Sequence, residues 1–353
     1  MKIRFPMFFI ALTVCLNSSS LYAFEYYEDF ERYETSSNRS DAYNGLISKD
    51  NSMKFSKGFS KRLVSIKGKI HAINEPIPSS PDNAKILKAN PSESRKGDCE
   101  SCVMRFINRG SPDMSKDSWS EERFSLNPNA LPRGEKGLTN FWLQYDQYIP
   151  KNYHHRGTST SGGRKVLAIF SDQYSIHDGV SYPTFIVGAT PIPSWGVDAS
   201  YIDYAFQTHS PGKSPSSRRF TLERPGQIKK MIIDPNVDLG HWQRRTLHLR
   251  MPTSEESEDG VVEFWVQRLA DTEAPMNPEK LLENYNGNFH GGSRNYLNKG
   301  YLLGYSNAGY NHDVTILIDN IILSDDVRSI DRSAIGVDEY REALPNSPKL
   351  EVY

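Results

Sequence analysis

Gln243-Arg244-Arg245-Thr246-Leu247-His248-Leu249-Arg250-Met251 and, a short polar gap later, Val261-Val262-Glu263-Phe264-Trp265-Val266-Gln267 are the stretches that decide the fold. In the first, Leu247, Leu249 and Met251 alternate with Thr246, His248 and Arg250; in the second, Val262, Phe264 and Val266 alternate with Glu263, Trp265 and Gln267. Successive side chains of an extended chain point to opposite faces, so this alternation marks strands with one buried face. The gap between them, residues 252–259, is rich in Ser, Glu and Asp, as a turn between two strands is.

The same pattern extends outward. In Phe141–Ile149 one face carries Phe141, Leu143, Tyr145 and Ile149, and the other carries Trp142, Gln144, Asp146 and Tyr148. Further strands are expected at Val103–Asn108, Glu121–Leu126, Lys165–Phe170, Tyr182–Gly188, Tyr201–Thr208, Tyr301–Tyr305 and Thr315–Ser324. Long helical periodicity, heptads and internal repeats are missing, although Pro278–Tyr285 has the length for one or two helical turns. With 24 Gly and 21 Pro among 353 residues, ten short strands predict an all-β sandwich of the jelly-roll type, two antiparallel sheets with a concave groove.

The 42 basic and 43 acidic side chains leave a formal charge of −1. That balance offers no electrostatic case for nucleic acid, whose binding rests on clustered positive charge. A mean hydropathy of −0.60 speaks against a polytopic membrane protein. At the N-terminus Lys2 and Arg4 precede the apolar run Phe5–Leu16, and Leu21-Tyr22-Ala23 ends in a small residue. This is the layout of an export leader cut after Ala23. The expected organisation is a leader over 1–23, one domain over 24–330 and a tail over 331–353, in a secreted or periplasmic protein with no membrane association once the leader is gone. In an oxidising compartment Cys99 and Cys102 are expected to form a local disulfide, a clip rather than a catalytic pair.

The polar faces mix aromatics with Gln, Asp and Arg. Trp142, Gln144, Asp146 and Tyr148 share one face, and Trp265 lies on a similar face of another strand. Aromatic platforms beside hydrogen-bonding groups suit sugar rings, which have apolar faces and polar edges. These residues are candidates to line a saccharide groove; the competing reading is an amphipathic sheet whose second face is covered by loops.

Several motifs carry a resemblance. Asp29-Phe30-Glu31, Ser120-Glu121-Glu122-Arg123, Phe141-Trp142-Leu143-Gln144-Tyr145 before Ile149-Pro150, Gly240-His241-Trp242, Asp259-Gly260-Val261-Val262-Glu263-Phe264-Trp265-Val266 and Ile318-Asp319-Asn320-Ile321 resemble, in this order, strands of the concanavalin A-like jelly roll of secreted polysaccharide lyases. The resemblance implies β-elimination on a uronate-containing glycan. That chemistry needs a cation to neutralise the carboxylate, a base for the α-proton and an acid for the leaving oxygen. Arg105 and Arg123 are the candidates for the cation. Tyr301-Leu302-Leu303-Gly304-Tyr305 resembles the family's Tyr-rich strand, which makes Tyr305 the candidate acid and places Tyr301 beside the substrate. Among His241, His248 and His177, His241 is the first choice for the base.

A retaining glycoside hydrolase would need two carboxylates close together on one face. Glu121 and Glu122 point to opposite faces, so the lyase reading is favoured over the hydrolase. No resident cofactor is expected. Asp319-Asn320 and Asp325-Asp326 are candidates for a structural Ca²⁺ site, with local bonding to the backbone as the simpler reading. The partner expected is a polysaccharide, as substrate or, in the alternative reading, as the ligand of a non-catalytic binding protein.

Overall fold

The computed structural model describes residues 24–28, 53–55, 61–65, 102–108, 110, 118–119, 122–132, 134–153, 164–172, 183–191, 200–207, 230–269, 276–287, 289–303, 305–306, 310 and 312–336. The leader, Cys99 and His177 lie outside these residues. Cys102 and Tyr305 are described in backbone only, so the disulfide expectation lies outside the description as well.

Among the described residues, strands build two antiparallel sheets. The first runs from edge to edge through β14 (Glu279–Gly287), β13 (Gly260–Leu269), β12 (His241–Arg250), β7 (Asn140–Ile149), β17 (Val314–Ser324), β4 (Cys102–Asn108) and β3 (Lys61–Ser65), and β1 (Glu25–Glu28) also pairs with β17. The second runs through β11 (Met231–Ile233), β10 (Ser200–Gln207), β9 (Thr184–Pro191), β8 (Arg164–Phe170), β15 (Lys299–Leu302), β6 (Glu122–Leu126) and β2 (Met53–Phe55). Two short strands, β5 (Ser118–Trp119) and β16 (Tyr305–Ser306), pair with each other, and β16 also pairs with β8. The fold is therefore an all-β sandwich of the jelly-roll class.

The core lies between the sheets. Phe141, Leu143, Tyr145, Leu247, Leu249 and Phe264 of the first sheet join Phe124, Leu167, Ile169, Phe185 and Val187 of the second in one buried cluster. Full burial of a Leu or Phe contributes roughly 1.5–3 kcal/mol, so these alternating positions supply the main drive for stacking the sheets.

All ten expected strands are present with small shifts at their ends, except that Tyr301–Tyr305 is interrupted. β15 stops at Leu302, Leu303 turns the chain at φ 50, and β16 begins at Tyr305. Leu302 and Leu303 both enter the core, so alternation does not carry across this point, and Tyr301 and Tyr305 cannot be assigned one face by counting. The helical expectation for Pro278–Tyr285 is also overturned. Glu279–Tyr285 lie in β14, the edge strand, because Glu279, Lys280 and Leu282 find ladder partners on β13, with Leu281 at a register slip between them.

The domain also continues past Ile330, the expected boundary. Residues 325–336 cross the outer face of the first sheet as two short 3₁₀ turns, Val327–Ser329 and Arg332–Ile335. Asp326 and Asp331 accept the first free N–H groups of these turns, from Arg328 and Ser333, and Gly336 ends the second at φ 75, a conformation that suits glycine. Ile330 and Ile335 pack on Trp142, Trp265 and Ile322. The segment expected as a tail is thus, as far as Gly336, a strap over the sheet.

Candidate functional site

The strap decides the fate of the expected groove. Trp142 is 1% exposed, Gln144 and Asp146 are fully buried, and Tyr148 and Trp265 are 1% and 3% exposed. Trp142 stacks on His248, with centroids 3.8 Å apart and an interplanar angle of 4°. Gln144 donates to Thr246 Oγ1 and to the Asp331 carbonyl, and accepts from the Asp331 N–H. Asp146 accepts from Arg244 Nε at 2.8 Å and Nη2 at 3.1 Å, and from Asn320 Nδ2 at 2.8 Å. Asp331 closes the other side of the Arg244 guanidinium. Tyr148 packs with Val103, Trp242, Leu269 and Leu317. The saccharide-groove expectation for Trp142, Gln144, Asp146, Tyr148 and Trp265 is corrected: Trp142, Gln144, Asp146 and Trp265 hold the chain's own strap, and Tyr148 is buried in a separate cluster on the same face.

At the edge of the same face, Glu263 is 1% exposed and collects three partners. His248 Nδ1 lies 2.9 Å from Oε2, while Lys280 Nζ and the Tyr285 hydroxyl donate to Oε1 at 2.8 and 2.5 Å. Burial alone would raise the Glu263 pKa, but the bonds from His248, Lys280 and Tyr285 outweigh it and hold the carboxyl at about 2. Burial and the Glu263 carboxylate push the Tyr285 phenol up to about 12. The Lys280 ammonium is held above its usual range, because the bonds to Glu263 and Tyr285 outweigh its desolvation. All three are locked in one charge state at neutral pH and form a clip between β13 and β14.

A carboxylate with a depressed folded pKa contributes stability that is fully present above its unfolded pKa and lost as pH falls through the folded one. The fall from 4.5 to about 2 corresponds to roughly 3 kcal/mol. Unfolding free energy is expected to decline between about pH 4.5 and pH 2, and Glu263→Gln should flatten that slope. Denaturant titrations at several pH values check this; equal slopes in the two proteins would contradict it.

The second sheet presents a different outer face. Leu167 and Ile169 of β8 point into the core, while Ala168 and Phe170 form a separate cluster with Tyr301 and Ile186 on the other side. On β6, Phe124 and Leu126 are core residues, so Arg123 and Ser125 lie on that outer side, both half-buried. The register pairs Tyr301 directly with Arg123, and Lys299 with Ser125. Gly300 makes this close packing possible: a Cβ there would meet Phe124 Cζ at 2.5 Å and the Ala168 carbonyl oxygen at 2.7 Å. Tyr301 is 2% exposed, while Arg123 and Lys299 are half-buried.

The expected site residues therefore divide between opposite sides of the sandwich. Arg123 and Tyr301 come together on the second sheet, and Tyr305 pairs with Trp119 in the short ladder of β16 with β5 in the same sheet. Arg105 is paired with Leu317 on the outer face of the first sheet, so it is not a partner of Arg123. His241 opens β12 opposite Ile149, a core residue of the first sheet. It is across the core from Arg123, and the expectation of His241 as the base beside Arg123 and Tyr305 is corrected.

Two features escaped the sequence reading. The chain contains a Gln-x-His triplet, Gln207-Thr208-His209, an amide and an imidazole two residues apart. Gln207 ends β10 opposite Thr184, three strands and about 14 Å from β15 at usual strand spacing. Thr208 and His209 lie outside the described residues. The second is a buried polar group at one end of the core. Arg245 donates to Gln243 Oε1 and Gln147 Oε1, and Gln243 Nε2 donates to the Ile232 carbonyl of the other sheet. Asp238 beside it, bound by Arg268 Nε at 3.0 Å, has its pKa raised, with burial outweighing Arg268. Odd-numbered polar residues in β12 gave this away only as breaks in the apolar alternation.

Of the Ca²⁺ candidates, Asp319 Oδ1 accepts the Asn320 N–H and Asp326 accepts from Arg328. Among the described residues no group of three or more His, Cys, Asp or Glu is arranged to hold a metal.

No family model and no curated protein matches the chain. Solved structures similar to it include an alginate lyase mutant in complex with alginate tetrasaccharide, at 11% identity and TM-score 0.41, covering 85% of this chain and 96% of that one. An endo-β-1,4-glucuronan lyase from the fungus Trichoderma reesei matches at 11% identity and TM-score 0.38 over 84% and 94%. Winged bean acidic lectin with methyl-α-D-galactose matches at 10% and 0.34 over 85% and 98%. Likeness at this level leaves the chemistry of the chain to its own residues.

Proposed function

We propose that the outer face of the second sheet binds a uronate-containing polysaccharide and cleaves it by β-elimination. The observation that carries this reading is the register pair of Arg123 and Tyr301 on one non-core face. A guanidinium recognises a carboxylate through two parallel bonds, and neutralising a uronate carboxylate makes the hydrogen on the adjacent carbon removable. The tyrosine beside it, acting as its phenolate, takes that proton as the carbon–oxygen bond to the leaving sugar breaks and a carbon–carbon double bond forms, and so becomes the neutral phenol. It then returns the proton to the leaving oxygen, so no proton is gained or lost. Tyr301 replaces Tyr305 as the first choice for this role, because it is the tyrosine opposite Arg123.

A screen against alginate, glucuronan, heparinoid and pectic polymers, read by the ultraviolet absorbance of the unsaturated ends, tests the reading. Absorbance should grow with at least one uronate polymer and not with a neutral glucan. The 2% exposure of Tyr301 favours a second reading, a binding protein that holds the polymer without cutting it. Binding of a uronate polymer with no unsaturated product would decide for that reading.

A further inference from the structure

We propose that the end of this face beyond Phe170 is a built subsite for a further sugar of the same polymer, centred on Asp172; the inference rests on the polysaccharide reading above.

Asp172 follows β8 at φ 53, a conformation rare for side chains other than Asn and Asp. Leu303, at φ 50, lies at the other end of the β8–β15 pair, against Val166, so two of the three non-glycine positive-φ residues described stand at the two ends of this face. The surroundings of Asp172 are specific. Its N–H donates to Asn298 Oδ1 at 2.8 Å, and its Oδ1 accepts from Asn298 Nδ2 at 3.0 Å. Its Oδ2 accepts the Tyr296 hydroxyl at 2.8 Å, and its carbonyl accepts Lys299 Nζ at 2.7 Å. Burial and the Asp172 carboxylate raise the Tyr296 pKa.

The loop that carries Tyr296 is itself pinned. Asn295 binds the Gly291 N–H and the Pro252 carbonyl, and a Cβ on Gly291 would meet Pro183 at 2.3 Å. This fixes a carboxylate, an amide, a phenol and an ammonium before any ligand arrives, which is what lowers the entropic cost of binding. The Asp172 side chain is 36% exposed and that of Arg294, 3.7 Å from Oδ2, is 39% exposed, so the cluster meets solvent where Tyr301 does not. A carboxylate has about four acceptor directions; Asn298 and Tyr296 fill two, leaving the others for sugar hydroxyls. Lys299 shares the outer side with Tyr301, two residues away along β15, so the cluster continues the Arg123–Tyr301 face. From Ala168, the partner of Tyr301, to Asp172 is about 13 Å along the strand, far enough to engage a different sugar.

The test uses dimers and hexamers cut from alginate and from glucuronan, with affinities measured by calorimetry on wild type, Asp172→Asn and Tyr296→Phe. Asn tolerates the left-handed backbone and keeps the shape, and Phe removes one oxygen. Unfolding curves verify that each variant is folded. Hexamer affinity should fall about five-fold or more, the worth of one or two hydrogen bonds, while dimer affinity stays within two-fold. Unchanged hexamer affinity in both folded variants, or an equal loss for dimer and hexamer, overturns the subsite and leaves the polysaccharide reading standing. If wild type binds neither polymer, the polysaccharide reading fails and the subsite with it.

Discussion

Tyr301→Phe is expected to lower the rate of uronate cleavage by ~10²–10⁴-fold, the usual cost of losing a general acid–base group, and to leave polymer affinity within about two-fold. The substitution removes one oxygen and keeps the ring, which packs with Ala168 and Phe170, so the fold should survive. Arg123→Lys separates the partner role. Lysine keeps the charge and loses the planar two-pronged contact, so both affinity and rate should drop. Initial rates from ultraviolet absorbance, set beside affinities from calorimetry, distinguish the two variants. A Tyr301→Phe protein with wild-type turnover would remove this tyrosine from the chemistry and return attention to Tyr305.

Asp146→Ala is expected to cost about 3–5 kcal/mol of stability, the range for breaking a buried ion pair from one side. Asp146 is fully buried and takes two bonds from Arg244 and one from Asn320. Its loss leaves Arg244, 4% exposed, with Asp331 as its partner in a second ion pair, and removes the bond from Asn320 Nδ2. Urea titration reads the effect as a lower midpoint. Polysaccharide affinity of the folded protein should be unchanged, because this residue lies under the strap and on the opposite side of the sandwich from Arg123. Wild-type stability with weakened polysaccharide binding would restore the groove reading of this face.

The two faces show what alternation in a sequence can and cannot reveal. Alternation in Gln243–Met251, Val261–Gln267 and Phe141–Ile149 located the central strands and separated core positions from outer ones, because a two-residue period follows directly from the geometry of an extended chain. It also placed Arg123 on a non-core face. It could not say what covers that face. Trp142, Gln144 and Asp146 have the chemistry of a sugar platform, but the same groups serve equally to hold Ile330, Asp331 and Ile335, and only the path of the chain after Ser324 distinguishes the uses. Nor does alternation assign strands to sheets, so Arg105 and Arg123, both candidates for the same cation, proved to be on opposite sides. Leu303 illustrates a third limit. A single left-handed residue put two successive leucines into the core and removed the basis for placing Tyr301 and Tyr305 together. The strand at Glu279–Gly287 was hidden by its position. Edge strands need only one apolar contact line, and Leu281 and Leu282 side by side do not alternate.

The most direct test of the account is the structure of the Tyr301→Phe protein in complex with a uronate hexamer. The oligosaccharide should lie across β6, β8 and β15, with a carboxylate on Arg123 and a further sugar at Asp172, and residues 325–336 should remain seated on Trp142. An oligosaccharide bound in place of the strap, against Trp142 and Trp265 on the first sheet, would contradict it.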